Sequence, residues 1–457
     1  MLNFLNVKMK NLSILIYFLL NSIISYGANP WDISNLYINP ILSSNIDSTL
    51  SHLENDLDSN IIQNMKNIKN VPSAYWIDVK EKITIKNEFN ETYYIEGIMN
   101  DALKTKSIVN FIVYNLPNRD CKAMASNGQI CCNRSDKCKD YCSISCQYTA
   151  TQCDDGLNEY ISEYIDPLFE LLSKDEYSSI VKILIIEPDS LPNCVTNLGM
   201  NGCSDLTCDI YKKGITYTLN TFSKIPNVVM YLDAGHGGWL GWENNITKYL
   251  SLISELPYQF IRGFATNVAN YQPIGEPCPM TERFYDFIQY CKTTDDDCCL
   301  DPCEFFDQYN IGNHEVNYAQ LIYSFSKNLN LTSFNTDDGL PRIIIDTGRN
   351  GNPLTRTGAQ QCKVWCNVNN AKIGTFPTID TPLSNIIDAF VWLKTPGESD
   401  GCIDYNIQKR CKNPSTCVRY DSECGNYPQN FGYFKEQTCP PEAGHWFEDQ
   451  FIQLNDY

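Results

Sequence analysis

The hydrophobic positions of this chain fall into short apolar runs, each followed by polar residues and by a segment long enough for a helix. Seven of these runs have the length and composition of buried strands. They lie at Ser73–Asp78, Val109–Asn115, Val181–Pro188, Val228–Asp233, Phe260–Ala265, Arg342–Asp346 and Ala389–Lys394. This alternation predicts an α/β fold with a parallel sheet, and its extent over most of the chain favours a closed barrel over two half-domains.

Between the strands, four segments space their apolar residues for one helix face and predict the surrounding scaffold. They are Tyr160–Leu172, Asp209–Phe222, Asn245–Leu256 and Val316–Leu329. Residues 28–72 are polar with helical patches, and we assign them only as an N-terminal wrap. No low-complexity linker separates a second module, so residues 73–457 are predicted to form one catalytic domain.

Residues 1–27 differ in kind from the rest of the chain. Lys8 and Lys10 precede the apolar run Leu12–Leu20, and small residues end at Gly27, a pattern that predicts a secretory signal peptide. The formal net charge is −19 at pH 7 and becomes more negative once the two lysines leave. Such a charge disfavours nucleic acid and anionic membranes. We therefore predict a secreted extracellular monomer that acts on a neutral substrate without a cofactor.

The 22 cysteines all follow Gly27 and predict disulfides in an oxidising compartment. Thiolate metal ligation is the alternative reading of clusters such as Cys131–Cys153 and Cys291–Cys303. Irregular spacing and only four histidines favour disulfides and no metal site. Sequons that predict a glycoprotein begin at Asn90, Asn133, Asn245 and Asn330.

The most informative strand is Val181–Pro188, because its apolar run stops at Glu187-Pro188-Asp189-Ser190. The carboxyl ends of parallel strands form the functional rim of α/β barrels, which makes Asp189 the first candidate for chemistry. The alternative is that Asp189 only caps the next helix.

Carboxylates and tryptophans dominate the other strand ends as well. The residues concerned are Trp76, Asp78, Tyr114, Asp120, Asp233, His236, Trp239, Trp242, Asn270, Asp346, Arg349, Lys394, Glu398 and Asp400. This combination suits carbohydrate, because sugar rings stack on indole and paired carboxyls supply the acid and base for glycosidic cleavage. The alternative is structural: a single tryptophan is more often part of a hydrophobic core, and a single histidine such as His236 could stabilise a loop through a hydrogen bond.

A series of motifs also resembles those of glycoside hydrolase family six, the cellobiohydrolase II family. In chain order they are Asn115–Cys121 with Ala125–Gly128, Glu187–Ser190, Tyr231–His236 with Gly238–Trp242, Ala265–Tyr271, Trp365–Asn367, and Val391–Lys394 with Glu398 and Asp400. The resemblance runs from about Ser73 to Leu454. It implies a distorted seven-stranded barrel, inverting hydrolysis of the β-1,4-glucan cellulose, and release of cellobiose from non-reducing ends.

The resemblance also implies residue roles. Asp189 takes the place of the proton donor, Asp120 that of the carboxylate that raises its pKa, and Asp400 that of the disputed base. Tyr114 and Ser126 match residues that shape the sugar and position its water. Substrate-binding positions are matched by Trp76, Asp78, Asp233, His236, Trp239, Trp242, Asn270, Arg349, Trp365, Lys394 and Glu398. The implied disulfides are Cys121 with Cys203 and Cys366 with Cys424.

Two questions stay open at this stage. The base is either Asp400 or a relay of waters to Asp120 through Ser126. The activity is an exo-acting, processive cellobiohydrolase, with an endoglucanase or a non-catalytic glucan-binding protein as alternatives. Long cysteine-rich loops at Ser126–Asp155 and Thr395–Cys424 favour a covered site and the exo mode. The family's usual aspartate is an amide at Asn115, and Ser399 replaces a frequent cysteine.

Overall fold

The computed structural model describes residues 28–86, 88–133, 141–142, 146, 150–200, 202–279, 284–403, 417–425 and 439–456. The predicted signal peptide lies outside these residues. Seven parallel strands form one sheet in the order of the sequence. They are β1 (Tyr75–Ile77), β2 (Val109–Val113), β3 (Lys182–Ile186), β4 (Val228–Asp233), β5 (Gly263–Thr266), β6 (Arg342–Asp346) and β7 (Ile387–Val391). Each overlaps a predicted run, so all seven strands are confirmed.

The sheet curls into a half-barrel whose two edges meet only at their ends. Within the described ranges, no ladder joins β1 to β7. The backbone N–H of Ala74 donates to the carbonyl of Trp392 at 2.8 Å, and Trp76 Nε1 donates to that of Leu393 at 2.9 Å. The distorted seven-stranded barrel is therefore confirmed, whereas these strands lack the full closure that the alternation alone favoured.

Successive side chains in the strands enter two different cores. Ile112, Ile183 and Ile185 belong to the core inside the curled sheet, whereas Leu184 and Ile186 pack outwards against the helices. Both faces are buried, which explains why the strands read as continuous apolar runs rather than as alternating patterns.

Helices surround the sheet, and several of them pack against its outer face. They are α1 (Pro40–Leu53), α2 (Ser59–Ile68), α3 (Ile95–Thr105), α4 (Asp154–Tyr160), α5 (Asp166–Leu172), α6 (Ser190–Thr196), α7 (Asp205–Phe222), α8 (Gly237–Leu240), α9 (Glu243–Ser254), α10 (Phe284–Thr293), α11 (Glu315–Asn328), α12 (Gly358–Gln361) and α13 (Glu448–Leu454). The four predicted helices are present. The first is interrupted by a π-helical turn at Ile161–Ile165, next to Pro167, which has no N–H to donate.

The N-terminal segment packs against the C-terminal end of the chain. Ile46 of α1 and Met65 of α2 share a buried cluster with Phe451 of α13. Trp446 Nε1 adds a hydrogen bond to Thr49 Oγ1 at 3.2 Å. This packing is compatible with the predicted wrap at residues 28–72, whose status as a separate segment stays a prediction.

Disulfides tie together segments that follow the strands. Cys121 pairs with Cys203 and Cys366 with Cys424, as the resemblance implies. Every cysteine in the described part of the chain is bonded. The close sulfurs of Cys278, Cys291 and Cys299 belong to two disulfides and so are not thiolate ligands. Among the described helices, none is long and apolar enough to cross a membrane.

Candidate active site

The loops that leave the strand ends adopt left-handed backbone conformations at the predicted acidic residues. Asp120 follows β2 with φ of 52°, and Glu187 and Asp189 follow β3 with φ of 49° and 61°. A non-glycine residue in this region costs ~1–3 kcal/mol, and such residues cluster at functional sites. The loops after β2 and β3 therefore position these acidic side chains at the cost of backbone strain.

Asp189 precedes α6 but its side chain makes no capping hydrogen bond to that helix, all of which is described. Its backbone N–H donates to Asp233 Oδ2 at 3.0 Å, and its carbonyl accepts from Asn193 Nδ2 at 2.6 Å. Burial raises the pKa of Asp189 well above its ordinary value, and the charges of Asp120, Asp233 and Asp400 raise it further. The capping alternative is thus not supported, and the side chain is suited to hold a proton.

Asp233 lies beneath Asp189 rather than on an open surface. Only 2% of its surface is exposed, and its Oδ2 also accepts from Gly235 N at 3.2 Å. Burial raises the pKa of Asp233 to about 7, although the two backbone donors lower it. These contacts direct its carboxyl to the backbone of Asp189 and Gly235, and the predicted binding of substrate by Asp233 stays a prediction.

Asp120 lies in a polar pocket of its own loop. Its Oδ2 accepts from Ser126 Oγ and, at 3.3 Å, from Tyr114 Oη. The Tyr114 ring contacts the Arg119 guanidinium at 4.1 Å and the edge of Trp76 at 5.1 Å. Burial raises the pKa of Asp120 to about 6, even though the Ser126 hydrogen bond and the Arg119 charge lower it. A pKa near neutrality suits a group that accepts a proton during turnover.

Asp400 has a different environment, because each of its oxygens is already engaged. Arg349 Nη2 lies 2.8 Å from Oδ1, while Tyr271 Oη and Asn367 N donate to Oδ2 at 2.5 and 2.8 Å. The Arg349 guanidinium also stacks 4.3 Å from the Tyr271 ring centroid and is only 1% exposed. Arg349 is thus the ion-pair partner of Asp400, and its predicted role in substrate binding stays a prediction.

Trp76 forms one end of the site together with charged residues. Lys394 Nζ lies 5.4 Å from the centroid of the Trp76 ring and 3.7 Å from Glu398 Oε2. Asp78 pairs with Lys82 at 2.6 Å. Burial alone would raise the pKa of Asp78, but the charges of Lys82 and Arg119 outweigh this effect and lower the pKa to about 2. These groups can accept from and donate to sugar hydroxyls beside an aromatic face.

Trp239 and Trp242 follow β4, and both are partly exposed. The protein satisfies both indole N–H groups, since Trp239 Nε1 donates to Thr196 Oγ1 at 2.6 Å and Trp242 Nε1 to the carbonyl of Gln308 at 2.7 Å. The indoles are therefore held in place by their polar edges, which leaves their partly exposed faces as candidate stacking surfaces.

Three other predicted residues are held in different ways. His236 Nδ1 is buried without a hydrogen-bond partner among the described residues, and burial lowers the pKa of His236 to about 3. Its ring is thus neutral and has an unsatisfied nitrogen. Trp365 Nε1 donates to Glu423 Oε2 at 2.8 Å, and Asn270 Oδ1 accepts from the following backbone N–H at 2.8 Å.

The segment Lys122–Asn127, which leads into the first of the two loops predicted to cover the site, contacts the described end of the second loop. Lys122 Nζ lies 2.7 Å from Glu423 Oε1, and the backbone N–H of Met124 donates to Asp421 Oδ2 at 2.7 Å. Arg419 Nη1 donates to the carbonyl of Asn127 at 2.9 Å. Residues 134–140, 143–145, 147–149 and 404–416 of these loops lie outside the described residues.

Sequence reasoning missed three residues that organise the site. Glu187 accepts from the backbone N–H groups of Asn115 and Leu116 and from Tyr160 Oη. Tyr271 and Asn367 bind Asp400, as described above. Glu187 could have been found from its place two residues before Asp189, whereas nothing in the spacing of Tyr271 and Asn367 indicates their partner.

A cavity of about 1000 Å³ lies apart from these carboxyls, among residues that include Asp296, Asn350 and Phe390. Phe390 packs in the outer core between sheet and helices. The cavity therefore opens outside the curled sheet, whereas the acidic residues lie at the carboxyl ends of the strands.

Carboxyl groups of contrasting environment, set between partly exposed tryptophans, define a site for acid-catalysed cleavage of a sugar chain. The family model of glycosyl hydrolases family 6 matches residues 31–456. This chain belongs to that family.

Similar proteins cover nearly the whole chain. A 1,4-beta-D-glucan cellobiohydrolase C of Emericella nidulans is 33% identical over 436 residues, 94% of this chain and 78% of that protein. The catalytic core of the cellobiohydrolase Cel6A of Chaetomium thermophilum is 30% identical with a TM-score of 0.66, over 94% of this chain and 98% of that one. The catalytic domain of Cellulomonas fimi Cel6B is 28% identical with a TM-score of 0.70, over 93% and 94%.

Proposed function

We propose that this protein is a secreted cellobiohydrolase that cleaves the β-1,4-glucosidic bonds of cellulose with inversion and releases cellobiose from non-reducing ends. The observation that carries the proposal is Asp189, a carboxyl with a raised pKa at a strand end beside Asp120. The relatives named above as cellobiohydrolases support the same substrate class.

Asp189 acts as the general acid and gives its proton to the leaving glycosidic oxygen. Burial and three neighbouring carboxyls raise the pKa of Asp189 well above its ordinary value and so favour its protonated form. Asp233 fixes the loop that carries it, because it accepts the Asp189 backbone N–H.

The water that attacks the sugar is activated through Ser126 and Asp120 rather than by Asp400. Asp400 already binds three donors, one of them a guanidinium, so both of its oxygens are engaged by the protein rather than directed to a water. Its charge instead helps to hold the proton on Asp189. Azide is expected not to restore turnover to Asp400→Ala; restored turnover with a glycosyl azide product would return Asp400 to the role of base.

The sugar chain stacks on Trp76, Trp239, Trp242 and Trp365. Its hydroxyls bind Asp78, His236, Asn270, Lys394 and Glu398. The neutral His236 ring has a buried nitrogen free to bond a hydroxyl, and Lys394 and Glu398 lie together beside Trp76. A neutral glucan also avoids repulsion by the net charge of −19.

The exo mode is supported by the contacts between the Lys122–Asn127 segment and residues 417–425. An ion pair and two hydrogen bonds between loops that flank the site limit the width of the cleft. Secretion as a monomer and N-glycosylation belong to the same proposal and rest on the N-terminal pattern, the disulfides and the sequons.

The experiment is hydrolysis of amorphous cellulose by the secreted protein. Cellobiose as the main soluble product, with the α-anomer formed first by NMR, supports the proposal. Mixed oligosaccharides with a rapid fall in viscosity would indicate an endoglucanase instead. Binding of cellulose without any release of sugar would indicate a non-catalytic protein.

A further inference from the structure

We propose that Tyr309 extends the sugar-binding surface beyond Trp242 and stacks on an outer glucose unit of a long β-1,4-glucan chain. This inference rests on the proposed function and concerns a residue that none of the recognised motifs contains. The Cys291–Cys303 insertion, which has no assigned role, leads directly into the segment that carries it.

Tyr309 lies between the two residues that contact Trp242. The carbonyl of Gln308 accepts from Trp242 Nε1 at 2.7 Å, and Asn310 forms an antiparallel bridge with Trp242. Phe305 packs edge-on against the same indole, with ring centroids 5.9 Å apart. The backbone of Tyr309 is therefore next to Trp242, and both side chains are at least partly exposed.

The segment around Tyr309 is held at several points before any ligand arrives. The Asp301 carboxylate accepts from the backbone N–H groups of Phe305 and Phe306 at 2.9 and 2.8 Å. The Cys303–Cys362 disulfide ties it to the loop after β6, and Asn310 Nδ2 donates to the carbonyl of Gly237 at 2.9 Å. A surface that is already ordered loses less conformational entropy when a sugar chain binds.

Tyr309 combines an exposed side chain with an unfavourable backbone. Its exposed fraction is 57%, and its φ of 58° lies in the left-handed region, which bulky residues rarely adopt. Asparagine or glycine would fit this backbone more easily. An aromatic side chain at this exposed position near Trp242 offers the flat apolar face that stacks on the C–H face of a neutral sugar.

The test compares wild type with Tyr309→Asn and Tyr309→Phe. Asparagine suits the left-handed backbone and removes the ring, so the variant is expected to fold normally. We expect its Kd for amorphous cellulose to rise by about two- to tenfold, the range of one aromatic contact. Its kcat and KM on cellotetraose should not change, because a short chain occupies only the inner positions. Tyr309→Phe keeps the ring and should bind cellulose as wild type does.

Phe376→Ala is the matched control, since Phe376 is a similarly exposed aromatic residue in the connection between β6 and β7. Its cellulose Kd should equal that of wild type. Equal cellulose binding by Tyr309→Asn and wild type would overturn the inference, as would an equal loss on cellotetraose. Absence of hydrolysis by the wild type would count against the proposed function. The cellulose-binding comparison tests the role of Tyr309 independently of hydrolysis.

Discussion

Two groups of buried carboxyls face the same site, and their surroundings differ. Asp189 and Asp120 have no ion-pair partner among the described residues, and the pKa values of both are raised. Asp400 is paired with Arg349 at 2.8 Å and accepts two further hydrogen bonds. Burial therefore favours the protonated forms of Asp189 and Asp120, which suits proton transfer, whereas Asp400 is held in an ion pair with Arg349.

The largest effect should come from removing the acid itself. We expect Asp189→Asn to lower kcat on cello-oligosaccharides by at least ~100-fold, within the range for loss of a general acid. Binding of cellotetraose by calorimetry should persist, because the affinity resides in the aromatic and amide groups. Near-normal turnover would remove Asp189 from this role.

Breaking the ion-paired region should affect stability first. Arg349→Met leaves the Asp400 charge buried without its cation, and the free energy of unfolding should fall by ~3–5 kcal/mol. Denaturant unfolding measures this change. The double variant Arg349→Met/Asp400→Asn removes both charges and should recover part of the loss. Equal destabilisation by the single and double variants would mean that the pair is not what stabilises this region.

The substitution Asp120→Asn tests the coupling between Asp120 and Asp189 through the pH dependence of kcat. The acid form of Asp189 is lost as pH rises through its pKa, and the negative charge of Asp120 raises that pKa. Without this charge the alkaline limb of the kcat profile should move to lower pH, and kcat should also fall because the water relay is broken.

The control for this pH profile makes the same substitution far from the site. In Asp166→Asn the change falls on helix α5, where the carboxylate accepts from Tyr217 Oη at 2.6 Å, and the limb should stay where it is in wild type. An unshifted limb in Asp120→Asn as well would mean that Asp120 and Asp189 are not coupled.

The smallest effect should come from the contact that joins the two regions. Lys122→Met removes the ion pair with Glu423, which is worth ~0.2–1 kcal/mol at such a partly exposed site. We expect a slightly faster fall in the viscosity of soluble glucan per bond cut. Lys212→Met breaks a similar pair with Glu255 on the outer helices and should leave the viscosity curve unchanged.

Much of the fold could be predicted from the sequence alone. Strands buried on both faces appear as apolar runs, so β1 to β7 were recognisable from local composition. The acidic residues Asp120, Asp189 and Asp400 were also identifiable, because motifs in one order carry them. The environments of these carboxyls could not be predicted, because a pKa depends on neighbouring residues that are distant in sequence.

Local pattern determined which segments form strands and helices, and the order of the motifs determined the candidate chemistry. Only the tertiary structure decided that Asp400 meets Tyr271 from the loop after β5 and Arg349 and Asn367 from the connection after β6. It also decided that Asp233 supports Asp189 and that Gln308 holds Trp242. These contacts join residues that are distant in sequence, and they depend on how each loop packs once the sheet has formed. The periodicity of hydrophobic residues along the chain contains no information about that packing.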